Sequence, residues 1–348
     1  KSLVALTEYK FNAKDGFENV EEAVDFYKSI LEMVGDFFAN EVAPKSKAID
    51  ESHPYLENGN VCFPPVLDEI FEQVKQLEMH GMCMPRELGG MNCPLLLFMM
   101  VTEMMARSDV SVAAHVGFHG GMALAMLVFS IIEGTTEFDV ENVCIKDTRF
   151  RDFISEIIAG EAWGSMDITE SGAGSDMAAM TTRGEQDEDG NWYLTGQKIF
   201  ITSGHAKYHF VIARTEETDK DDAFAGLQGL SMFLVPAYRT GDDGNREYLA
   251  TFDSLEEKLG HHGSATVAIS YNRTPAFLIG KRGEGFRLML LLMNNARVGV
   301  GFESLGVCES AWRLAKAYAA ERESMGKTLD HHERSEEHTS ELQSLLII

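Results

Sequence analysis

Between Asn19 and Pro44 apolar residues return every three to four positions, at Ala23, Phe26, Ile30, Val34, Phe38 and Val42. That spacing places them on one face of a helix running to Val42, where Pro44 ends the pattern. Asn19 followed by Glu22 has the form of a capping box. Pro64-Pro65 suits a second helix start, and Val66, Ile70, Val74 and Leu77 follow at helical spacing until Gly81. Residues 95–106 are apolar nearly all round, as in a helix enclosed by a bundle. Residues 110–132 form a run of 23 without Asp, Glu, Lys or Arg, long enough to span a bilayer. His115, His119, three glycines and the acidic flanks Asp109 and Glu133, with no cationic cluster on either side, favour a buried core helix. No membrane span is expected.

The period shifts near Trp163. Short β-rich runs follow at 192–202, 208–214, 230–235 and 266–271, separated by Gly, Asp and Asn clusters, with Asp189-Gly190 as a hairpin turn. After Gly283 and Gly285 the helical period returns and predicts a long helix reaching at least Ala320. The fold class expected is therefore α+β and multidomain. A helical domain spans 1–160, a middle β-barrel or sandwich 161–275, and the start of a C-terminal helical bundle 276–333.

The 348 residues include 55 Asp and Glu against 30 Lys and Arg, a formal net charge of −25. Such a field repels phosphate backbones, so nucleic acid is not an expected partner. Five cysteines at unrelated spacings fit a reducing compartment, and the cytoplasm is the expected location. The pairs His261-His262 and His331-His332 lack metal-site spacing, and no metal is expected.

Four segments offer chemistry. Residues 166–176, MDITESGAGSD, place glycines, hydroxyls and amides in a tight loop of the kind that can hold phosphate oxygens, although an ordinary turn fits the bare pattern better. Residues 195–204, TGQKIFITSG, set Phe200 and Thr202 two apart on one side of a strand, where a ring could cover a flat cofactor; a surface strand with an ordinary cross-strand aromatic fits that pattern better on its own. Residues 278–286, LIGKRGEGF, and 320–329, AERESMGKTL, are uninformative singly, and Arg322 by itself reads as a solvated helix cation.

In this order and at these separations, with MPRELGG at 84–90, the four segments resemble the acyl-CoA dehydrogenase family over roughly residues 38–333. The resemblance implies a helical, a β and a four-helix domain, FAD as cofactor, and an acyl-CoA substrate. It further implies a homodimer or homotetramer and an electron-transfer flavoprotein as acceptor. Onto this chain it carries cofactor roles for Met166, Ile168, Thr169, Gly174, Ser175, Phe200, Ile201 and Thr202, with Thr202 toward flavin N5. Phe200 stands where many relatives have Trp. Arg322 and Ser324 correspond to a contact with the FAD of a neighbouring subunit, and Ser175, Asn294 and Arg297 to substrate contacts. The implied reaction removes an α-proton by a carboxylate while the β-hydrogen leaves as hydride. The minority position for that carboxylate is matched by Ala296, which has no acid-base group, and Glu303 does not match it.

Residues 334–344, RSEEHTSELQS, look like a translated sequencing adapter, so the chain from 334 to 348 is expected to be foreign and the catalytic base to lie outside this sequence. The sequence before Phe38 fits a larger bacterial-type member, such as methylmercaptopropionyl-CoA or long-chain dehydrogenases. Two alternatives stand beside α,β-dehydrogenation: an acyl-CoA oxidase or flavin monooxygenase of the same fold, and a non-catalytic flavin-binding protein.

Overall fold

In the computed structural model, which describes residues 1–217, 225–241 and 243–332, Asn19 caps the first long helix, α1 (Val20–Phe37), by accepting the Glu22 amide at 3.0 Å. Glu22 reaches back to the amide of Glu18 at 2.9 Å, one residue beyond the partner a capping box predicts. The α-helix stops at Phe37, short of Val42. A wider π turn covers Phe38–Val42, and a 3-10 turn carries the chain through Pro44. Proline has no amide to donate, and the wider turn keeps both Phe38 and Val42 buried.

Three further helices complete this core: α2 (Pro65–Gln76), α3 (Leu95–Ser108) and α4 (Val110–Glu133). Helix α3 is not enclosed on all sides, because Leu95, Leu96 and Met100 are exposed. Asp109 caps α4 through the amides of Ser111 and Val112, and Gly134, in the left-handed region, ends it. Helix α4 is the one described helix long and apolar enough to cross a membrane. One of its faces, with His115, His119, Met122, Met126 and Phe129, is buried within the protein. A short helix the sequence pattern missed, α5 (Arg151–Ile158), buries Ile154 and Ile157 against it.

Seven strands then form one sheet: β1 (Gly164–Asp167), β2 (Arg183–Gln186), β3 (Trp192–Thr202), β4 (Tyr208–Arg214), β5 (Leu230–Pro236), β6 (Ala250–Leu255) and β7 (Thr266–Ile279). Strand β7 pairs with both β3 and β5, β5 with β4, β4 with β2, and β2 with β3, so five strands close on themselves as a barrel. Strands β6 and β1 attach to its flanks on β7 and β4. The middle of strand β4, residues 210–213, is an unbroken apolar run because both faces are covered. Val211 and Ala213 fill the barrel with Phe233, Val267 and Ile269, while Phe210 and Ile212 meet α4 residues Met126 and Phe129 on the outside.

The chain leaves β7 into the long helix α6 (Gly285–Glu321). Its first turns bury Leu288, Met289 and Leu292 in the layer shared by α4 and the barrel. Farther along, Gly306 lies against α3 so closely that an added Cβ would meet the Glu103 carbonyl oxygen at 2.4 Å. Helix α6 is thus pinned at two places, and the stretch between them bridges open space.

Candidate functional site

Strand β3 is irregular where its chemistry lies. Its pairing with β7 slips between Val267 and Ile269, opposite Lys198 to Ile201, and Phe200 takes a left-handed φ of 59°. For an aromatic residue that conformation is strained by about 1–3 kcal/mol. The bulge turns the Phe200 ring outward, 57% exposed, while Ile201 goes into the barrel.

Strand β1 and the loop after it are tied to this bulge by three hydrogen bonds. Ser165 Oγ donates to the Thr202 carbonyl at 2.8 Å, the Ile199 amide to the Thr169 carbonyl at 2.9 Å, and Lys198 Nζ to the Ile168 carbonyl at 2.9 Å. Met166, Ile168, Thr169, Phe200, Ile201 and Thr202 therefore come together as one unit. Beyond it Glu170 and Ala173 exchange backbone hydrogen bonds in a tight turn, and Gly172, Gly174 and Ser175 face solvent; nothing would meet a Cβ at either glycine.

Lys198 is fully buried, which sequence reasoning missed. Its ammonium also donates to Glu170 Oε1 at 2.9 Å, and Glu170 accepts from the Thr181 amide and hydroxyl and the Thr182 amide. Burial alone would raise the Glu170 carboxyl; Lys198 and these donors outweigh it and hold it at about 2. A second buried group anchors the other end. Asp167 accepts from His209 Nδ1 at 2.9 Å and from the Tyr271 hydroxyl at 2.5 Å, and His209 Nε2 donates to the Ala206 carbonyl. Burial opposes the charge on His209, and Asp167 overcomes that and raises its pKa.

In front of Met166, Phe200 and Thr202 opens a cavity of about 650 Å³ between the barrel, α3, α4 and α6. Helix α6 presents Leu292, Asn295, Ala296, Gly299, Val300 and Glu303 to it. Asn294 and Arg297 do not line it: they pair with each other at 2.7 Å on the exposed side, since about 100° separates successive helical residues. Glu303, set aside in the sequence, stands in the wall, with His261 Nε2 3.4 Å from its Oε1. Arg322 and Ser324 lie outside the cavity lining, at a surface hairpin after α6; Arg322 forms no ion pair among the described residues. No group of three His, Cys, Asp or Glu among the described residues is placed to hold a metal.

Beside the cavity wall His80, His115, His119 and His205 gather around Trp163. His115 Nδ1 reaches Ser203 Oγ at 3.2 Å, and its Nε2 accepts the Ala265 amide at 3.3 Å. Among the described residues, His80 Nδ1, His119 Nε2 and both nitrogens of His205 have no hydrogen-bond partner. Burial lowers all four, His80 to about 4 and His115 to about 3.

Three family models match in the order of the layers just described: Acyl-CoA dehydrogenase, N-terminal domain, over 25–131; middle domain, over 165–274; and C-terminal domain, over 283–344. The chain belongs to the acyl-CoA dehydrogenase family. It is 30% identical over 309 residues to the 3-methylmercaptopropionyl-CoA dehydrogenase of Ruegeria pomeroyi, covering 87% of this chain and 49% of that protein. It is 28% identical over 340 residues to the butyryl-CoA dehydrogenase of Syntrophomonas wolfei, covering 92% and 52%. The chain thus spans about half the length of these acyl-CoA dehydrogenase relatives.

The solved butyryl-CoA dehydrogenase of Megasphaera elsdenii superposes with a TM-score of 0.72 at 22% identity, covering 92% of this chain and 75% of that one. A structure named for the electron transferring flavoprotein of Acidaminococcus fermentans gives 0.71 at 24%, covering 91% and 74%. These likenesses show the acyl-CoA dehydrogenase fold. The C-terminal family match runs into the segment expected to be foreign, and 334–348 lies outside the described residues.

Proposed function

We propose that this chain supplies the flavin- and acyl-binding part of an enzyme that introduces an α,β double bond into acyl-CoA thioesters. The observation that carries the reading is the junction of the 165–175 loop with the β3 bulge, which leaves one aromatic face bare above a cavity whose opposite wall is α6. A flat cofactor fits there. Phe200 offers its ring, Thr202 and Thr169 hydroxyls, and the open backbone at Gly172 and Gly174 admits phosphate oxygens. FAD, when bound, accepts hydride from the substrate's β-carbon.

The protein's own work is placement. Lys198 and Glu170 fix the loop, the bulge aims Phe200, and the cavity excludes water from the acyl chain. Ala296 lines the cavity without an acid-base group, so the α-proton is not taken from that place on α6. Arg322 and Ser324, outside the cavity and solvent-facing, suit a pyrophosphate held by a second copy, which makes a homodimer or homotetramer the assembly proposed. An electron-transfer flavoprotein is the proposed acceptor.

The test is FAD titration by absorbance and fluorescence polarisation on the chain and on Phe200→Ala, followed by anaerobic addition of acyl-CoA. Micromolar FAD binding that weakens at least tenfold in the variant supports the site. Absence of FAD binding removes it. Bleaching by acyl-CoA supports dehydrogenation, and fast reoxidation in air favours the oxidase alternative.

A further inference from the structure

The cavity is apolar over most of its wall, from Phe98 and Met99 on α3 to Phe118 and Met122 on α4. Gly117, Gly121 and Gly299 face it with nothing within 4 Å of an added Cβ, so missing side chains set its width. One end differs. Glu303 projects into it with an 18% exposed side chain and accepts no hydrogen bond from any described residue; the nearest titratable group is His261, with Nε2 3.4 Å from its Oε1. Burial raises the Glu303 carboxyl and, with Lys258 nearby, lowers His261, so the imidazole is neutral near pH 7 and serves at most one carboxylate oxygen at long range. A carboxylate facing an apolar chamber with a lone pair unserved by the protein favours a ligand that brings a hydrogen-bond donor.

Helix geometry says where that donor comes from. Glu303 lies two turns beyond Ala296 on the same face, about 10 Å along the axis. The Glu303 side chain tilts back toward the turn that carries Ala296, so an acyl chain with its reacting carbons near Ala296 and Thr202 brings its sixth to eighth carbon within hydrogen-bond reach of the carboxylate. Resting on the proposed acyl-CoA site, we infer that Glu303 is a specificity residue selecting medium-length acyl groups with a hydrogen-bond donor, such as a hydroxyl, at the distal end. Glu256 and Glu257 on the same wall outnumber Lys258 beside them, leaving negative charge that disfavours a distal carboxylate.

The test is isothermal titration calorimetry of the full FAD-loaded chain with hexanoyl-CoA, 6-hydroxyhexanoyl-CoA and adipoyl-CoA. The hydroxy thioester is expected to bind about tenfold tighter than hexanoyl-CoA, and adipoyl-CoA about tenfold weaker. In Glu303→Leu the first two are expected to exchange order, with FAD affinity held within about threefold of wild type as the sign of a folded protein. Equal affinity for hexanoyl and hydroxyhexanoyl thioesters in wild type, or a hydroxyl preference that survives in Glu303→Leu, overturns the inference while leaving the acyl-CoA site standing. If none of the three thioesters binds, the acyl-CoA reading falls and this one with it.

Discussion

Lys198→Met removes the one cation from a buried pair and leaves Glu170 ionised beneath the loop. Breaking such a pair from one side costs about 3–5 kcal/mol. The three donors from Thr181 and Thr182 remain and temper the loss, so the lower end is expected. Linkage gives a second figure. With Glu170 at about 2 in the folded state against an ordinary 4.5, the folded pKa is depressed. The stabilisation is complete above pH 4.5 and is lost as pH falls toward 2; its limit is about 3 kcal/mol at 1.4 kcal/mol per unit.

Urea unfolding at pH 7.5 therefore separates wild type from Lys198→Met by about 3 kcal/mol, and the gap holds down to about pH 4.5 and narrows below it. Glu170→Leu combined with Lys198→Met recovers most of the stability, because an apolar pair needs no partner. FAD affinity stays low in that double variant, since the ammonium also holds the Ile168 carbonyl. A loss below about 1 kcal/mol, or a gap independent of pH, refutes the reasoning.

Phe200→Gly is expected to gain up to about 1 kcal/mol in thermal unfolding by relieving the left-handed strain while weakening FAD binding; equal stability and affinity would mean that neither strain nor ring matters. Gly121→Ala, with open space at its Cβ, is expected to stabilise α4 by about 0.5–1 kcal/mol and to shift acyl-CoA preference toward shorter chains in a binding series. Gly306→Val drives a side chain into the α3 backbone and is expected to cost more than about 2 kcal/mol on urea unfolding. The depressed values of His80 and His115 make stability complete above pH 6.5 and failing below it. Across pH 6.5 to 5 the two together forfeit up to about 4 kcal/mol, read as a falling urea midpoint that flattens in His80→Phe.

Much of this molecule is legible in its sequence because local signals and tertiary demands agree. Helix α1 announces itself by its cap and period, and β3 and β4 by β-branched and aromatic runs bounded by turns. What escaped depends on partners distant in sequence. Strands β1 and β2, four residues each, acquire their identity only by pairing with β4 and β3. Strand β7 continues through Pro275, where an irregularity between Asn272 and Thr274 lets a residue without an amide sit in the ladder.

The buried Lys198 reads as a surface lysine until its parity is noticed. It stands four residues after the buried Leu194, in phase with it along β3, and the bulge after it returns Ile201 to the interior. Asn294 and Arg297 fall one residue off the face of α6 that lines the cavity, a rotation that sequence matching along a helix does not register.

The cavity persists because its walls are held from outside. Collapse would require α6 to move toward the barrel, yet its first turns are fixed by Leu288, Met289 and Leu292 in the core layer, and Gly306 fixes it against α3 beyond Glu303. The stretch from Leu292 to Glu303 is thereby a beam between two supports, and a rigid helix cannot sag between them. On the facing side, the bulge holding Phe200 is over-determined by Ser165, Lys198 and the β7 register. Strain and empty volume, both unfavourable locally, are sustained by burial some distance away. That separation of cost from support lets polar groups such as Thr202 and Glu303 stand at the cavity surface, available to whatever enters.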